Sequence, residues 1–299
     1  MSVGGAVRRL GSTTKQALPA PAVRVVRSAV RGWGMATADL RLLPEVIIVG
    51  AQRSGTTTLF RVLSEHPAVV RATLSKGVGY FDLHHHRGLR WYRAHFPLEV
   101  VAALRTPRGV RPVTFESAGY YSFHPLAAER IAQELPQARL VYMVRNPVDR
   151  AYSAHRHELV RGFEAEDFER ALELEPERLT GEEERILADP RYESHSHRHH
   201  AYLGRSRYSE QLARMQQAVG ADHVFVMDAD RFFADPAASF GRLGEWLGLP
   251  EWVPSAVEQW NARARDPLEP ELRARLMEYF EPYDRDLEAM TGVRPSWRE

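Results

Sequence analysis

The stretch IIVGAQRSGTTTLF, residues 47–60, decides the fold. A β-branched run ends at Gly50, a short loop leads to Gly55, and threonines open the next segment. This is the order of a buried strand, a glycine turn and a helix N-terminus. Gly50 and Gly55 have the spacing of the phosphate-binding loop G-x-x-x-x-G-K-[ST], in which backbone N–H groups and the helix dipole hold an oxyanion. Thr56 stands where that loop needs its lysine. An ATP site uses the lysine on the β/γ-phosphates and a hydroxyl on Mg²⁺. Here the cation lies inside the loop as Arg53, whose fork can grip an oxyanion bidentately. Gln52, Arg53, Ser54, Gly55, Thr56 and Thr57 therefore read as a cradle for a compact anionic tail.

Outward from this loop, strands alternate with helices. RPVTFES (111–117), ARLVYMVRNP (138–147) and HVFVMDADRF (223–232) read as further strands after EVIIVGA (45–51). HPLAAERIAQEL, SEQLARMQQAV and DPAASFGRLGEWLG read as helices, as does most of EPELRARLMEYFEPYDRDLEAM. Asn146 is placed to cap a helix that has Pro147 at its first position. The expected fold is α/β, three layers, with a mostly parallel central sheet and helices on both faces.

A second motif complements the first. LVYMVRNPVDRAYSAHRHEL, residues 140–159, is a strand, Arg145 at its end, and a helix carrying Ser153. Arg145 leaves the C-terminal edge of a parallel strand, where ligands of such sheets bind, and Ser153 can donate to an anion held there. With both motifs the chain, over roughly residues 45–250, resembles the sulfotransferases that use 3′-phosphoadenosine 5′-phosphosulfate (PAPS). It is most like the heparan-sulfate-type carbohydrate enzymes and their bacterial relatives. The resemblance implies PAPS as co-substrate, adenosine 3′,5′-bisphosphate as product, and no metal. It puts the phosphosulfate on the Gly50–Thr57 loop and the 3′-phosphate on Arg145 and Ser153. GRSRYSEQLARM, with Tyr208, looks like a later helix of the family, and Arg263 and Arg265 in WNARARDP (260–267) are further candidate contacts.

Heparan-type members carry Lys-Glu-x-x-Phe-Phe-Asp, in which the glutamate is the base. This chain has KGVGYFD at 76–82, so Lys76, Phe81 and Asp82 match and Gly77 replaces the base. Glu116, just beyond a strand, is the first substitute, because burial can raise a carboxyl pKa towards the working range. Asp82 is the second, and His84–His86 lie just beyond. Arg53 and Lys76 are candidates to stabilise the leaving oxygen, and Lys76 can also position the acceptor. The expected reaction is sulfuryl transfer to a hydroxyl of a carbohydrate or small metabolite. Two rivals are a non-catalytic nucleotide or glycan binder lacking the base, and a P-loop kinase, which Thr56 opposes.

Other segments are less specific. DLHHHRGLRWYRAHFP (82–97) suits a sugar or anionic acceptor, although Trp91 and Phe96 equally suit a core. The four histidines of SHSHRHHAY (194–202) read as exposed loop residues rather than zinc ligands, and the acidic segment 164–185 as a solvated helix and loop or a mobile cover. In residues 1–44, seven basic residues oppose Asp39, and Arg24, Arg27 and Arg31 share a helical face opposite Val23, Val26, Val30 and Trp33. Such an arm packs on the domain or lies on an anionic membrane; residues 45–299 are expected to form the single catalytic domain. The 299 residues carry a net charge of +1 and no cysteine, which gives no global sign of a nucleic-acid partner and suits a reducing compartment, the cytoplasm.

Overall fold

A computed structural model describes residues 20–73, 75–254 and 267–299. Five strands form its sheet: β1 Val46–Gly50, β2 Val69–Arg71, β3 Val113–Ser117, β4 Arg139–Val144 and β5 Val224–Asp228. Their order is β2-β3-β1-β4-β5, and every pairing is parallel, where a mostly parallel sheet was expected. β2 was not anticipated; three residues are too short to stand out as an apolar run.

β1 is central and buried at every position, so it reads as a continuous apolar run rather than an alternating one. Its side chains still divide by parity. Ile47 and Val49 join Leu140, Tyr142 and Val144 against Ile131 of the helix Ala127–Glu134 and Leu212 of the helix Tyr208–Val219. Val46 and Ile48 join Val141 and Met143 against Leu59 and Leu63 of the helix Thr56–Glu65 and Phe240 and Leu243 of the helix Pro236–Leu247. These two cores make the three layers. A third core packs Val148 and Ala151 on Phe168 and Phe280, joining the helices Pro147–Arg161, Phe168–Leu179 and Pro270–Thr291.

The strand order sets the site. The chain runs from β1 out to β2 and back to β3 on one side, then crosses to β4 and β5 on the other. The C-terminal ends of β1 and β4 are therefore the switch point, where an open parallel sheet leaves a crevice for ligands. The acidic segment is more structured than expected. Phe168, Ala171, Leu172 and Glu175 are buried, and Glu175 accepts the N–H groups of Tyr202, Leu203 and Gly204 at 2.9, 2.7 and 2.8 Å. A carboxylate that answers three backbone donors is part of the scaffold rather than of a solvated face.

Candidate functional site: two anion grips at the switch point

The first grip is the loop after β1. At Gly50 a side chain would place its Cβ 2.3 Å from Ser122 Oγ, so only glycine lets the strand pass beneath that residue. Gly55 takes φ 86°, and an added Cβ would lie 3.0 Å from the Phe233 ring. Arg53 also holds a positive φ, 74°, uncommon for a residue with a side chain and often associated with function. From Thr56 the helix Thr56–Glu65 begins, with no side chain capping its first N–H groups. Those donors and the positive dipole end face the crevice.

The lysine absent from position 56 arrives from elsewhere. Lys76 Nζ donates to Thr56 Oγ1 at 3.2 Å and to Thr57 Oγ1 at 3.1 Å. Its loop is fixed to the end of β3: Ser117 N–H donates to the Lys76 carbonyl at 2.9 Å. Gly77 lies so close that an added Cβ would stand 2.4 Å from the Ser117 carbonyl oxygen. Burial lowers the Lys76 pKa to about 8, because the ammonium has lost water without gaining an anion.

The second grip is the end of β4. Asn146 caps the helix Pro147–Arg161 as expected, accepting from Val148 N–H at 3.0 Å and Asp149 N–H at 3.2 Å. That fixes Arg145 just outside the helix and Ser153 inside it. Arg145 Nη1 donates to the Arg53 carbonyl at 3.4 Å, and Arg53 Nε donates to Ser153 Oγ at 3.1 Å. The two motifs, some 90 residues apart in sequence, thus meet. Tyr208 heads its helix with its hydroxyl near Ser54.

Three buried polar atoms at this junction have no hydrogen-bond partner: Ser54 Oγ, Arg145 Nε and Tyr208 OH. Leaving such groups unanswered costs about 1–3 kcal/mol each, and acceptor oxygens of a ligand would answer them. A phosphorylated ligand fits this donor set. Gln52 accepts from Arg205 Nη1, and Arg205 is the residue missed in the sequence. It is buried, lies over the Tyr120 and Phe123 rings at 4.7 and 5.2 Å, and donates to the Arg198 carbonyl at 2.6 Å. Nothing about one arginine in GRSRY distinguishes it from its neighbours until the fold brings it to the loop. Arg263 and Arg265 lie outside the described residues.

The two candidate bases have different surroundings. Glu116 is fully buried on β3, with both oxygens engaged: Val78 N–H at 2.7 Å, Tyr92 OH at 2.6 Å and Tyr121 OH at 3.0 Å. Burial outweighs these donors and pushes its pKa up to about 7. Asp82 sits in the turn Tyr80–His84, accepts from Leu83 N–H at 2.6 Å, and is raised to about 6 by burial. Arg130 donates to the Phe81 carbonyl at 2.8 Å and holds that turn. Tyr92 and Phe96 are core residues, while Trp91 is only partly buried, in edge contact with His84 and His95.

The histidines of 194–202 correct the expectation of an exposed loop. They form the short helix His195–His199, with His197 and His199 buried. His197 stacks on Phe123 at 4.3 Å and bonds the Tyr120 hydroxyl at 2.7 Å; burial drops its pKa to about 3. His199 pairs with buried Glu158 at 3.0 Å. Among the described residues no group of three or more His, Cys, Asp or Glu is arranged to hold a metal ion.

Comparison with known proteins agrees with this architecture. Residues 43–269 match the family described as Sulfotransferase domain. A bifunctional heparan sulfate N-deacetylase/N-sulfotransferase 1 of Caenorhabditis elegans is 27% identical over 70% of the chain, which spans only 22% of that relative's length. The human heparan sulfate glucosamine 3-O-sulfotransferase 6 is 26% identical over 93% of the chain and 80% of its own. A crystal structure of a sulfotransferase from Alicyclobacillus acidocaldarius superimposes with a TM-score of 0.61 at 29% identity, covering 86% of this chain and all of that one. With more than two thirds of its length inside the matched region, the chain belongs to the sulfotransferase family.

Proposed function

We propose that the protein transfers the sulfuryl group of PAPS to a hydroxyl of a carbohydrate or small-metabolite acceptor. The observation that carries this reading is the junction of Arg53, Arg145 and Ser153 beside the loop that Lys76 contacts, with Arg145 Nε and the neighbouring Ser54 Oγ unanswered. PAPS supplies an activated sulfuryl group whose bridging oxygen leaves with the adenosine bisphosphate. The loop N–H groups, Arg53 and the threonine hydroxyls hold the phosphosulfate end. Arg145 and Ser153 hold the 3′-phosphate, with Tyr208 and Ser54 as further donors. Lys76, already turned onto Thr56 and Thr57, stabilises the negative charge of the leaving oxygen. The carbohydrate class draws support from the names of the relatives.

For the base we favour Asp82 over Glu116; both carboxyls are buried, and Glu116 is the more fully engaged. A general base must reach the acceptor's proton. Glu116 is closed in by three donors, and its bonds to Val78, Tyr92 and Tyr121 fix the loop that delivers Lys76. Asp82, on the adjoining turn, has a pKa raised into a useful range. Calorimetric titration with adenosine 3′,5′-bisphosphate, followed by an acceptor screen with labelled PAPS, tests the proposal. Tight bisphosphate binding, weakened in Arg145→Ala, is expected. A preference for ATP with Mg²⁺, or equal binding by wild type and variant, would count against it.

A further inference from the structure

In the N-terminal helix Ala20–Ala36, Gly34 is the buried residue of the stretch 28–36. Gly34 docks on the backbone of Ala94, where an added Cβ would lie 2.6 Å from the carbonyl oxygen, and Ala38 one turn on is buried. The chain then joins the segment that leads into the helix Glu99–Arg105. Arg41 bridges Leu98, Leu42 N–H donates to the Pro97 carbonyl at 3.0 Å, and Arg93 Nε donates to the Arg41 carbonyl at 2.5 Å. These bonds tie the segment that follows the first helix to the segment that opens the second.

What the pair leaves outside is apolar. Trp33 is 61% exposed, Leu40 65%, Val100 63% and Leu104 82%. Val100 and Leu104, four residues apart, share a helix face. On the first helix Ala29, Trp33 and Ala36 follow the same spacing, and all are exposed. Met35, on the first helix, is exposed as well, and the other large exposed apolar residues described, Val160, Leu187, Val253 and Val293, lie far apart in sequence. Single exposures need no explanation, whereas a group of this size does. Exposed arginines accompany the group: Arg31, Arg105 and Arg108, beside Arg90, whose charge Asp39 meets. The carboxylates Asp39 and Glu99 are each already paired, with Arg90 at 3.2 Å and Arg93 at 3.5 Å. The surface is therefore apolar with a positive surround, and the first helix also carries Arg24 and Arg27 in its sequence.

We propose that this surface docks the protein on an anionic lipid bilayer. Trp33, Leu40, Val100 and Leu104 enter the headgroup boundary, and the arginines meet lipid phosphates. Among the described residues no helix is long and apolar enough to cross a membrane, so the contact proposed is one of lying on the surface. The proposal does not depend on the assigned reaction, since none of these residues touches the crevice.

The test is co-sedimentation of the full chain with extruded vesicles, either phosphatidylcholine alone or with about a third phosphatidylglycerol, at low and high salt. The expected result is binding to the anionic vesicles that salt weakens. The double variant Trp33→Ser, Leu104→Ser should lower the partition coefficient at least about tenfold, since each side chain buries a large apolar area. Its circular dichroism and bisphosphate affinity should match wild type. Absence of binding to anionic vesicles would overturn the proposal, as would equal binding by the variant. So would a lipid-free dimer in light scattering that the variant dissociates, which would assign the patch to a second copy.

Discussion

Raising the pH from 7 to 9 is expected to weaken binding of adenosine 3′,5′-bisphosphate by about tenfold, through Lys76 alone. In the ligand-free protein burial holds this ammonium near a pKa of about 8. It is therefore about 90% charged at pH 7 and about 10% charged at pH 9. A phosphate oxygen beside Nζ restores the missing counter-charge and lifts the bound-state pKa back towards the ordinary value. Above pH 8 binding must then take up a proton, and affinity falls tenfold per pH unit until the bound-state pKa is reached. Affinity is fully present below the free pKa and is lost above it. Calorimetry at pH 7–9 in two buffers of different ionisation enthalpy measures both the affinity and the proton count. Lys76→Arg should flatten the profile because a guanidinium stays charged. Lys76→Met should bind weakly at every pH. A flat wild-type profile, or the same slope in Lys76→Met, would refute the reasoning. The lowered pKa also has a cost in the ligand-free state. The folded chain disfavours the charged form, so this group subtracts stability below pH 8, and the loss is relieved as pH rises from about 8 towards 10.5. Lys76→Met should accordingly melt higher than wild type at pH 7, by about 1 kcal/mol once partial exposure is allowed for.

Arg145→Ala should weaken bisphosphate binding about 30- to 150-fold by calorimetry, the loss of about 2–3 kcal/mol for charged hydrogen bonds, while Ser153→Ala costs less than about tenfold. Tyr208→Phe removes a buried hydroxyl with no close hydrogen bond, Ser54 and the Arg145 backbone being its neighbours, so it should raise the ligand-free melting temperature slightly and lower ligand affinity; a fall in both would give the hydroxyl a structural bond instead. With Asp82 as base, kcat/KM should decline below pH about 6, and Asp82→Asn should lose about 10²–10⁴ in kcat at unchanged bisphosphate affinity. A decline below pH about 7 that Glu116→Gln abolishes would return the role to Glu116. Otherwise Glu116→Gln should act on thermal stability first.

The sheet was legible because β1 and β4 are flanked on both sides, β1 buried throughout and β4 at every position after Arg139, so their sequences carry apolar runs that stop at Gly50 and Arg145. The phosphate loop was legible for a related reason: its chemistry is carried by the backbone and by residues adjacent in sequence. Asn146–Pro147 announced a helix start by local stereochemistry alone. The failures were of other kinds. β2 has three residues and no periodicity to read. Glu175 looks like any other residue of an acidic run until the fold brings three N–H groups to it. His197 and His199 sit among polar residues in the sequence, yet Phe123 and Glu158 close over them from other elements. Arg205 is likewise set by contacts with residues far away in the chain. What pattern reading misses in each case is a polar side chain whose partner is remote.

Gly77 poses the sharper question of whether the usual glutamate could be restored. The packing says not. A Cβ at 77 would stand 2.4 Å from the Ser117 carbonyl oxygen, and backbone at the end of a central-sheet strand cannot rotate away as a side chain would. The 76–78 loop would have to lift, breaking the Ser117 N–H bond to the Lys76 carbonyl and straining the Val78 N–H bond to Glu116. Lys76 would leave Thr56 and Thr57 with it. Gly77→Ala and Gly77→Glu should therefore both lose about 1–3 kcal/mol of stability and weaken bisphosphate binding by a factor like that of Lys76→Met. A gain of turnover in Gly77→Glu would show that the loop tolerates the side chain. Glycine at 77 is thus more than a missing base. It lets the loop lie flat on β3 so that Lys76, from outside the Gly50–Thr57 loop, reaches Thr56 and Thr57.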